Sequence, residues 1–318
     1  MDSRTHKTAV IGAGQIGRGW AALFAAAGHE VAITDQGAAN LDHGLEIVRK
    51  MLADLAATGR CADPAAAYAR IRRATDIEAC MSGATWVQEC CPEDEDIKRA
   101  LFQRMDAAAP PDAILASSCS GIPGSRFLSD LPGRDRAIIL HPANPVHAMP
   151  IVEIVPCPWH EPAFVQRCRD ALSSVGQIPV IVHGEVPGFV MNRLQAAVIN
   201  EAVSLVGRGI VSPQDLDRVM EASIGLRWAF IGPFQTMDLN AAGGVADYMS
   251  KFSKTYAELG SDLRVGDDWT PEAIETVTAA CRAHLPTERI EDRQAWRDRT
   301  LLEMRQLIDR RRDEDPYE

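Results

Sequence analysis

Thr8-Ala9-Val10-Ile11-Gly12-Ala13-Gly14-Gln15-Ile16-Gly17 decides how this chain is read. A short apolar run ends in G-x-G-x-x-G and opens directly into an alanine-rich amphipathic stretch reaching residue 27, the pattern of strand, tight turn and helix. Glycine turns are common, so the triplet gains its weight from standing between a strand and a helix. Gly12 permits the turn, Gly14 lets the backbone approach a pyrophosphate, and Gly17 lets the helix pack closely on the strand. The helix N-terminus, at Gln15 and Ile16, then offers its unpaired amides to the anion.

Working outward, Gly28-His29 break the helix, and residues 30–34 form a second strand ending in Asp35, which completes a βαβ unit. A carboxylate there accepts hydrogen bonds from an adenine ribose diol and repels a 2′-phosphate. Gln36 and Gly37 follow, with no Arg or Lys to receive that phosphate, so the predicted cofactor is NAD rather than NADP.

Helical periodicity over 41–58 and 65–73, broken at Gly59, predicts a helical hairpin inserted after the second strand. Strand candidates at 85–88, 114–116, 137–140, 151–155 and 179–182 are separated by helical runs at 94–107 and 163–174. This alternation predicts an α/β fold with a mainly parallel, doubly wound sheet. After His183-Gly184-Glu185-Val186-Pro187-Gly188 no strand pattern follows. Apolar residues at three-and-four spacing mark a helix over 189–206, Ser212-Pro213 reads as an N-cap with proline at the first helical position, and 287–312 reads as a long charged helix. Two domains are therefore expected, residues 1–187 for the dinucleotide and residues 188–318 all helical. The helical part has more apolar face than its size covers, which points to a homodimer through it.

The 318 residues exceed what a single core usually serves, in agreement with two domains. A net charge of −11 argues against partners bound through phosphates, whether nucleic acid or anionic lipid. No long apolar window and no leader-like core in residues 1–7 appear, so a cytoplasmic protein with no membrane segment is expected. The eight cysteines show no C-x-x-C pair and read as reduced thiols. Among them, Cys119 reads as a packed thiol rather than a nucleophile.

The chemistry concentrates around His141-Pro142-Ala143-Asn144-Pro145, which follows an apolar strand. Glu153 lies in the next such strand, where an unpaired carboxylate among aliphatics is costly. Histidine is its natural partner. The carboxylate fixes the imidazole tautomer through one ring nitrogen and steadies the imidazolium, leaving the other nitrogen to take a hydroxyl proton. His147 invites a metal reading, but Pro142 and Pro145 interrupt any helix that would align the two rings and no third ligand is evident, so no metal is predicted.

The order of these motifs, with Gly209-Ile210-Val211-Ser212-Pro213-Gln214-Asp215-Leu216-Asp217 and Arg227-Trp228-Ala229-Phe230-Ile231-Gly232-Pro233-Phe234, resembles the 3-hydroxyacyl-CoA dehydrogenase superfamily over nearly all of the chain. Within it, the resemblance is to the lambda-crystallin or L-gulonate 3-dehydrogenase branch. The resemblance implies a Rossmann-type domain followed by an all-helical dimerisation domain, with a His–Glu pair in the cleft between them. Carried over by position, it makes His141 the general base and Glu153 its orienting partner, with Ser120 and Asn192 touching the reacting oxygen and Asn144 lining the same pocket. It places Glu93 and Lys98 near the nicotinamide half of the cofactor, and it makes Arg227 a partner for a substrate carboxylate. Ser118 departs from the pattern, since acyl-CoA members commonly carry Asn there.

The reaction so implied is hydride transfer to NAD from the 3-hydroxyl of a small hydroxy acid, with L-gulonate going to 3-dehydro-L-gulonate. Three alternatives stand beside it. A 3-hydroxybutyryl-CoA substrate requires cations for the CoA phosphates, for which Arg49, Lys50, Arg60, Arg70, Arg72 and Arg73 are available. A carnitine-like acid is kept in view by Trp228 and Phe230. A non-catalytic NAD-binding structural protein is opposed by the joint presence of His141, Glu153 and Asn192.

Overall fold

The βαβ unit forms from β1 (Lys7–Ile11), α1 (Gln15–Ala26) and β2 (Glu30–Thr34), with β1 and β2 parallel and Ala9 opposite Ala32. The computed structural model describes residues 6–263, 266 and 268–314, so residues 1–5 of the leader reading lie outside it. The chain continues through α2 (Ala38–Ala57), α3 (Pro64–Ala69), β3 (Ile71–Arg73), α4 (Ile77–Met81), β4 (Trp86–Glu89) and α5 (Glu95–Ala108). Then come β5 (Ile114–Ser117), α6 (Ser125–Leu128), β6 (Ala137–Pro142), β7 (Ile151–Val155), α7 (Pro162–Ser174) and β8 (Ile178–Ile181).

One eight-stranded sheet results, in the order β3-β2-β1-β4-β5-β6-β7-β8. Chain order reverses between β1 and β4, the place where open α/β sheets bind ligands beyond their strand ends. Strand residues alternate between two cores: Val10, Ile33, Ala116 and Ile154 face one, and Ile11, Ala32, Leu115 and Val155 the other. Both faces are thus covered, as a parallel sheet requires.

The structure corrects one detail of the expected elements. The second helix of the hairpin stops at Ala69, and Ile71–Arg73 becomes an edge strand paired with Val31–Ile33. Asp63 caps α3 by accepting from the Ala65 and Ala66 amides, but the helix has one buried residue, Ala67, to hold it. So short a helix has little tertiary support to extend it. Within the mainly parallel sheet, β7 runs antiparallel to β6 because residues 143–150 connect them without a crossover helix.

Two compact units divide the chain, residues 1–192 with 295–318, and residues 193–294. The second is all helical. It contains most of α8 (Met191–Gly207), then α9 (Pro213–Val219), a π-helical turn (Met220–Ile224), α10 (Gly225–Trp228), α11 (Pro233–Leu239), α12 (Gly244–Asp262) and α13 (Pro271–His284). Ser212 and Thr270 cap α9 and α13 through the Asp215 and Ala273 amides, and proline opens both helices. Large apolar side chains of this unit remain uncovered, with Phe234 at 70% and Leu239 at 71% exposure. Among the described residues no helix is long and apolar enough to cross a membrane.

The long charged helix forms as α14 (Ile290–Asp313), and from residue 295 it belongs to the first unit. Its few apolar residues explain why: Leu302 is wholly buried in the first unit's core with Leu301 beside it. Arg305 also donates to Gly176 O at 2.9 Å, and Arg60 pairs with Asp309. The sequence pattern divides the chain at 187/188, whereas these compact units divide it at 192/193 and again at 294/295.

Where α14 meets the loop after β6, it covers His147, which is 1% exposed. Neither ring nitrogen has a hydrogen-bond partner among the described residues, and the nearest carboxylate oxygen, of Asp298, stands 3.7 Å away. Burial pushes the imidazole down to about 4, against a partial counter-pull from Asp298. His29, buried beside His6, is likewise pushed to about 4. Both rings are neutral when folded and gain a proton when unfolded below pH 6.5, so their contribution is intact above that value and lost as pH falls toward 4. For His147 this amounts to roughly 3 kcal/mol. Melting temperatures measured from pH 7 to pH 4 are expected to fall less steeply in His147→Leu than in wild type; parallel curves would assign the acid sensitivity elsewhere.

Candidate active site

The glycines after β1 serve two different purposes. A Cβ on Gly12 would lie 2.6 Å from Cys90 O, and one on Gly17 would lie 1.9 Å from Gly12 O, so the protein itself demands glycine at both. Gly12 also has φ +102°, a conformation side chains avoid. Gly14 is different, because nothing lies within 4 Å of its missing Cβ. No contact of the fold requires glycine there, and the open space fits a close approach of the protein backbone to a pyrophosphate. Gly14 is the N-cap of α1 and no side chain caps that helix, leaving the first-turn amides at Gln15 and Ile16 without such a partner. Asp35 closes the cradle, accepting from the Ala13 amide at 2.7 Å and the Gly37 amide at 3.0 Å. Burial raises its pKa, but these bonds and one from Asn40 outweigh it and hold the carboxyl below its ordinary value. The cradle therefore fits a dinucleotide whose pyrophosphate meets the helix and whose ribose meets an ionised acid.

Further along the same sheet edge, the antiparallel step of β6 and β7 sets His141 directly opposite Glu153. Opposed residues of an antiparallel pair share a face, so the two side chains meet: His141 Nδ1 lies 2.8 Å from Glu153 Oε2. Both are buried. Glu153 Oε1 accepts the Val190 and Met191 amides, each at 2.9 Å, at the start of α8. Burial alone would raise the Glu153 pKa; the bonds from His141, Met191 and Val190 override it and hold the carboxyl below its ordinary value. An ionised acceptor on Nδ1 makes Nε2 the proton-accepting edge of the ring.

The loop after β5 is anchored by Glu93. Its Oε1 accepts the Cys119 thiol at 3.0 Å and the Ser120 and Gly121 amides at 2.9 and 2.8 Å. Against burial, these bonds and the nearby Lys98 charge keep Glu93 below its ordinary pKa. Burial and Glu93 together push Cys119 up to about 12, so it stays a thiol. Ser120 and Asn192 come together, Asn192 Nδ2 donating to Ser120 O at 2.8 Å. Asn144 reaches Gln15 Oε1 at 3.4 Å, so the loop after β6 touches the glycine turn. Arg227 sits on exposed α10 of the second unit.

Lys98 is held by an internal partner. It is 1% exposed, and its ammonium donates to both oxygens of buried Glu89, at 2.8 and 3.0 Å. Burial would lower its pKa, but Glu89 more than compensates. Glu89 also accepts the Cys91 amide at 2.6 Å and the Ser117 hydroxyl, tying the ends of β4 and β5 together. Glu89 has a weaker signal in the sequence than Glu153, because it follows the polar Gln88 at a strand end and is not enclosed by aliphatic residues. Ser118, the departure noted above, accepts from Trp20 Nε1 at 3.2 Å and Gln88 Nε2 at 2.8 Å. Both acceptor positions of the hydroxyl are filled, so toward Cys90 Sγ, 3.4 Å away, the hydroxyl is the donor.

Residues 7–186 match the family model described as 3-hydroxyacyl-CoA dehydrogenase, NAD binding domain, and residues 188–278 match 3-hydroxyacyl-CoA dehydrogenase, C-terminal domain. The chain is similar to a lambda-crystallin homolog of Bos taurus, 38% identical over 304 residues covering 94% of each chain. It is also similar to the L-carnitine dehydrogenase of Pseudomonas putida, 32% identical over 94% of this chain and 93% of that one. Among solved structures it matches 5-formyl-3-hydroxy-2-methylpyridine 4-carboxylic acid 5-dehydrogenase, with a TM-score of 0.84, 30% identity, and 96% and 99% of the two chains covered. Successive matches to both domains, and relatives aligned along almost the entire length, make this chain a member of the 3-hydroxyacyl-CoA dehydrogenase family, in its lambda-crystallin branch, and an NAD-dependent dehydrogenase.

Proposed function

We propose that this dehydrogenase oxidises the 3-hydroxyl of a small free hydroxy acid, with L-gulonate as first candidate and 3-dehydro-L-gulonate as product. The observation that carries the reading is the 2.8 Å bond between His141 Nδ1 and buried Glu153, because it prepares Nε2 to take a hydroxyl proton. Bound NAD supplies the acceptor for the hydride that leaves the carbinol carbon. His141 removes the hydroxyl proton as the carbonyl forms, and ionised Glu153 stabilises the imidazolium at hydrogen-bond range. Asn192 and Ser120 orient the reacting oxygen, Asn144 lines the same pocket, and Glu93 keeps the Ser120 loop in place. Arg227 is the proposed partner of the substrate carboxylate, a bidentate and charge-assisted contact.

Free acid is favoured over acyl-CoA by the state of the hairpin cations. Arg60 pairs with Asp309 and Arg73 with Asp42, each at 2.5 Å; Arg49 lies 4.5 Å from the Tyr68 ring centroid, and Arg72 donates to Ala79 O at 2.9 Å. A CoA phosphate would have to compete for them. The pairs are weak individually where exposed, and Lys50 and Arg70 stay exposed beside them, so a phosphate meets competition at four of the six cations. Two of the relatives named above, the L-carnitine and pyridine carboxylate enzymes, carry small free acids in their names.

A homodimer through the helical unit is proposed on the apolar side chains that unit leaves in water, and a cytoplasmic setting on eight cysteines that are all free thiols.

Initial rates with NAD and L-gulonate, 3-hydroxybutyrate, L-carnitine or 3-hydroxybutyryl-CoA are expected to give L-gulonate the highest kcat/KM. A thioester preference of about tenfold or more would shift the reading to acyl-CoA. His141→Gln should leave the NADH Kd within about twofold and lower kcat by roughly 10²–10⁴-fold, and near-normal turnover would remove the base from this position. Asp35→Asn retains the side-chain volume and discards the charge that repels a 2′-phosphate. Its NAD-over-NADP ratio of kcat/KM should drop about tenfold, and an unchanged ratio would argue against the ribose role.

A further inference from the structure

We propose that Phe189 is a positioning residue for the His141 base, fixing the plane of the imidazole with its ring while its backbone shapes the amide nest that holds Glu153. The proposal rests on the reading of His141 as the proton acceptor.

Phe189 has φ 49°, and among the described residues it alone departs from glycine at positive φ. Glycine takes that conformation freely, whereas a side chain resists it. Gly188, with φ 76°, stands immediately before it. A phenylalanine kept in a glycine conformation implies that its side chain is needed there, and that side chain is completely buried.

Both sides of the residue are used. On the backbone side, the left-handed step before α8 turns the next two amides, of Val190 and Met191, onto one oxygen, Glu153 Oε1, at 2.9 Å each. Consecutive amides brought together by a left-handed residue form a concave anion site. On the side-chain side, the Phe189 ring meets the imidazole of His141 edge-on, with centroids 5.5 Å apart and planes at 61°. Glu153 Oε2 holds Nδ1 at 2.8 Å, but a single hydrogen bond fixes a point rather than a plane. The torsion that swings an imidazole about Cβ–Cγ is broad and has no sharp intrinsic minimum. The phenyl edge supplies the missing restraint, so Nε2 keeps one heading. Tautomer and plane of the base therefore both depend on residue 189, the first through Glu153 and the second directly.

The test uses Phe189→Leu together with Phe189→Met, whose flexible side chain refills the space if leucine leaves a gap. Expected in both are a kcat lower by about tenfold or more, a KM for the hydroxy acid within about twofold, and an unchanged NADH Kd. In the NMR spectrum the His141 ring protons should leave their ring-current-shifted position and broaden. Wild-type kcat in a folded variant overturns the proposal. A parallel loss of melting temperature, NADH affinity and kcat also overturns it, since that pattern marks a purely structural side chain. If the wild-type enzyme turns over no 3-hydroxy acid, the functional reading fails separately, and the His141 resonances still decide whether Phe189 holds the ring.

Discussion

Glu153 is the group on which the rest of the site depends. It is a carboxylate inside an aliphatic strand, and burial penalises its charge, yet hydrogen bonds keep it ionised. Each oxygen has a separate task. One holds the imidazole of His141, and the other gathers the amides at the head of α8. A helix N-terminus is a favourable neighbour for negative charge, so the start of α8 helps keep the carboxylate ionised, and the ionised carboxylate holds that start in place. Base orientation and the placement of Asn192, the second residue of α8, are consequences of the same charge.

The same device recurs along the sheet edge. Asp35 gathers the Ala13 and Gly37 amides, Glu93 gathers those of Ser120 and Gly121, and Glu89 takes the Cys91 amide together with Lys98 and Ser117. Loops at strand ends have few partners for their amides, and a carboxylate that accepts two of them fixes local geometry more tightly than apolar packing does. Lys98 acts behind this row. Its charge, balanced by Glu89, lies near enough to Glu93 to help keep that carboxyl ionised. The edge is thus organised by anions that face inward to the backbone, leaving the glycine turn and His141 Nε2 for ligands.

Much of this was legible in the sequence because the signals were local. The glycine triplet stood between a strand and a helix, and Glu153 stood out as a charge in an apolar run whose natural partner was His141. What stayed hidden depended on pairing between distant segments. Ile71–Arg73 reads as the tail of a helix until β2 offers it a free edge, and α14 reads as part of the helical remainder until Leu302 finds the first unit's core. Lys98 was placed by position alone, and position does not reveal that Glu89 claims its ammonium. Phe189 carries no sequence signal of backbone conformation, since the Pro187-Gly188 pair before it already accounts for a turn.

The titrating groups divide by place as well as by type. His29 and His147 lie in the body of the first unit and lose their stabilising neutrality as pH falls from 6.5 toward 4. Glu93, Glu153 and Asp35 lie at the sheet edge with pKa values below the ordinary carboxyl range, so their contribution is complete above the unfolded carboxyl values and is lost only as pH falls through the lower, folded ones. On acidification the scaffold therefore weakens before the anchors of the site let go.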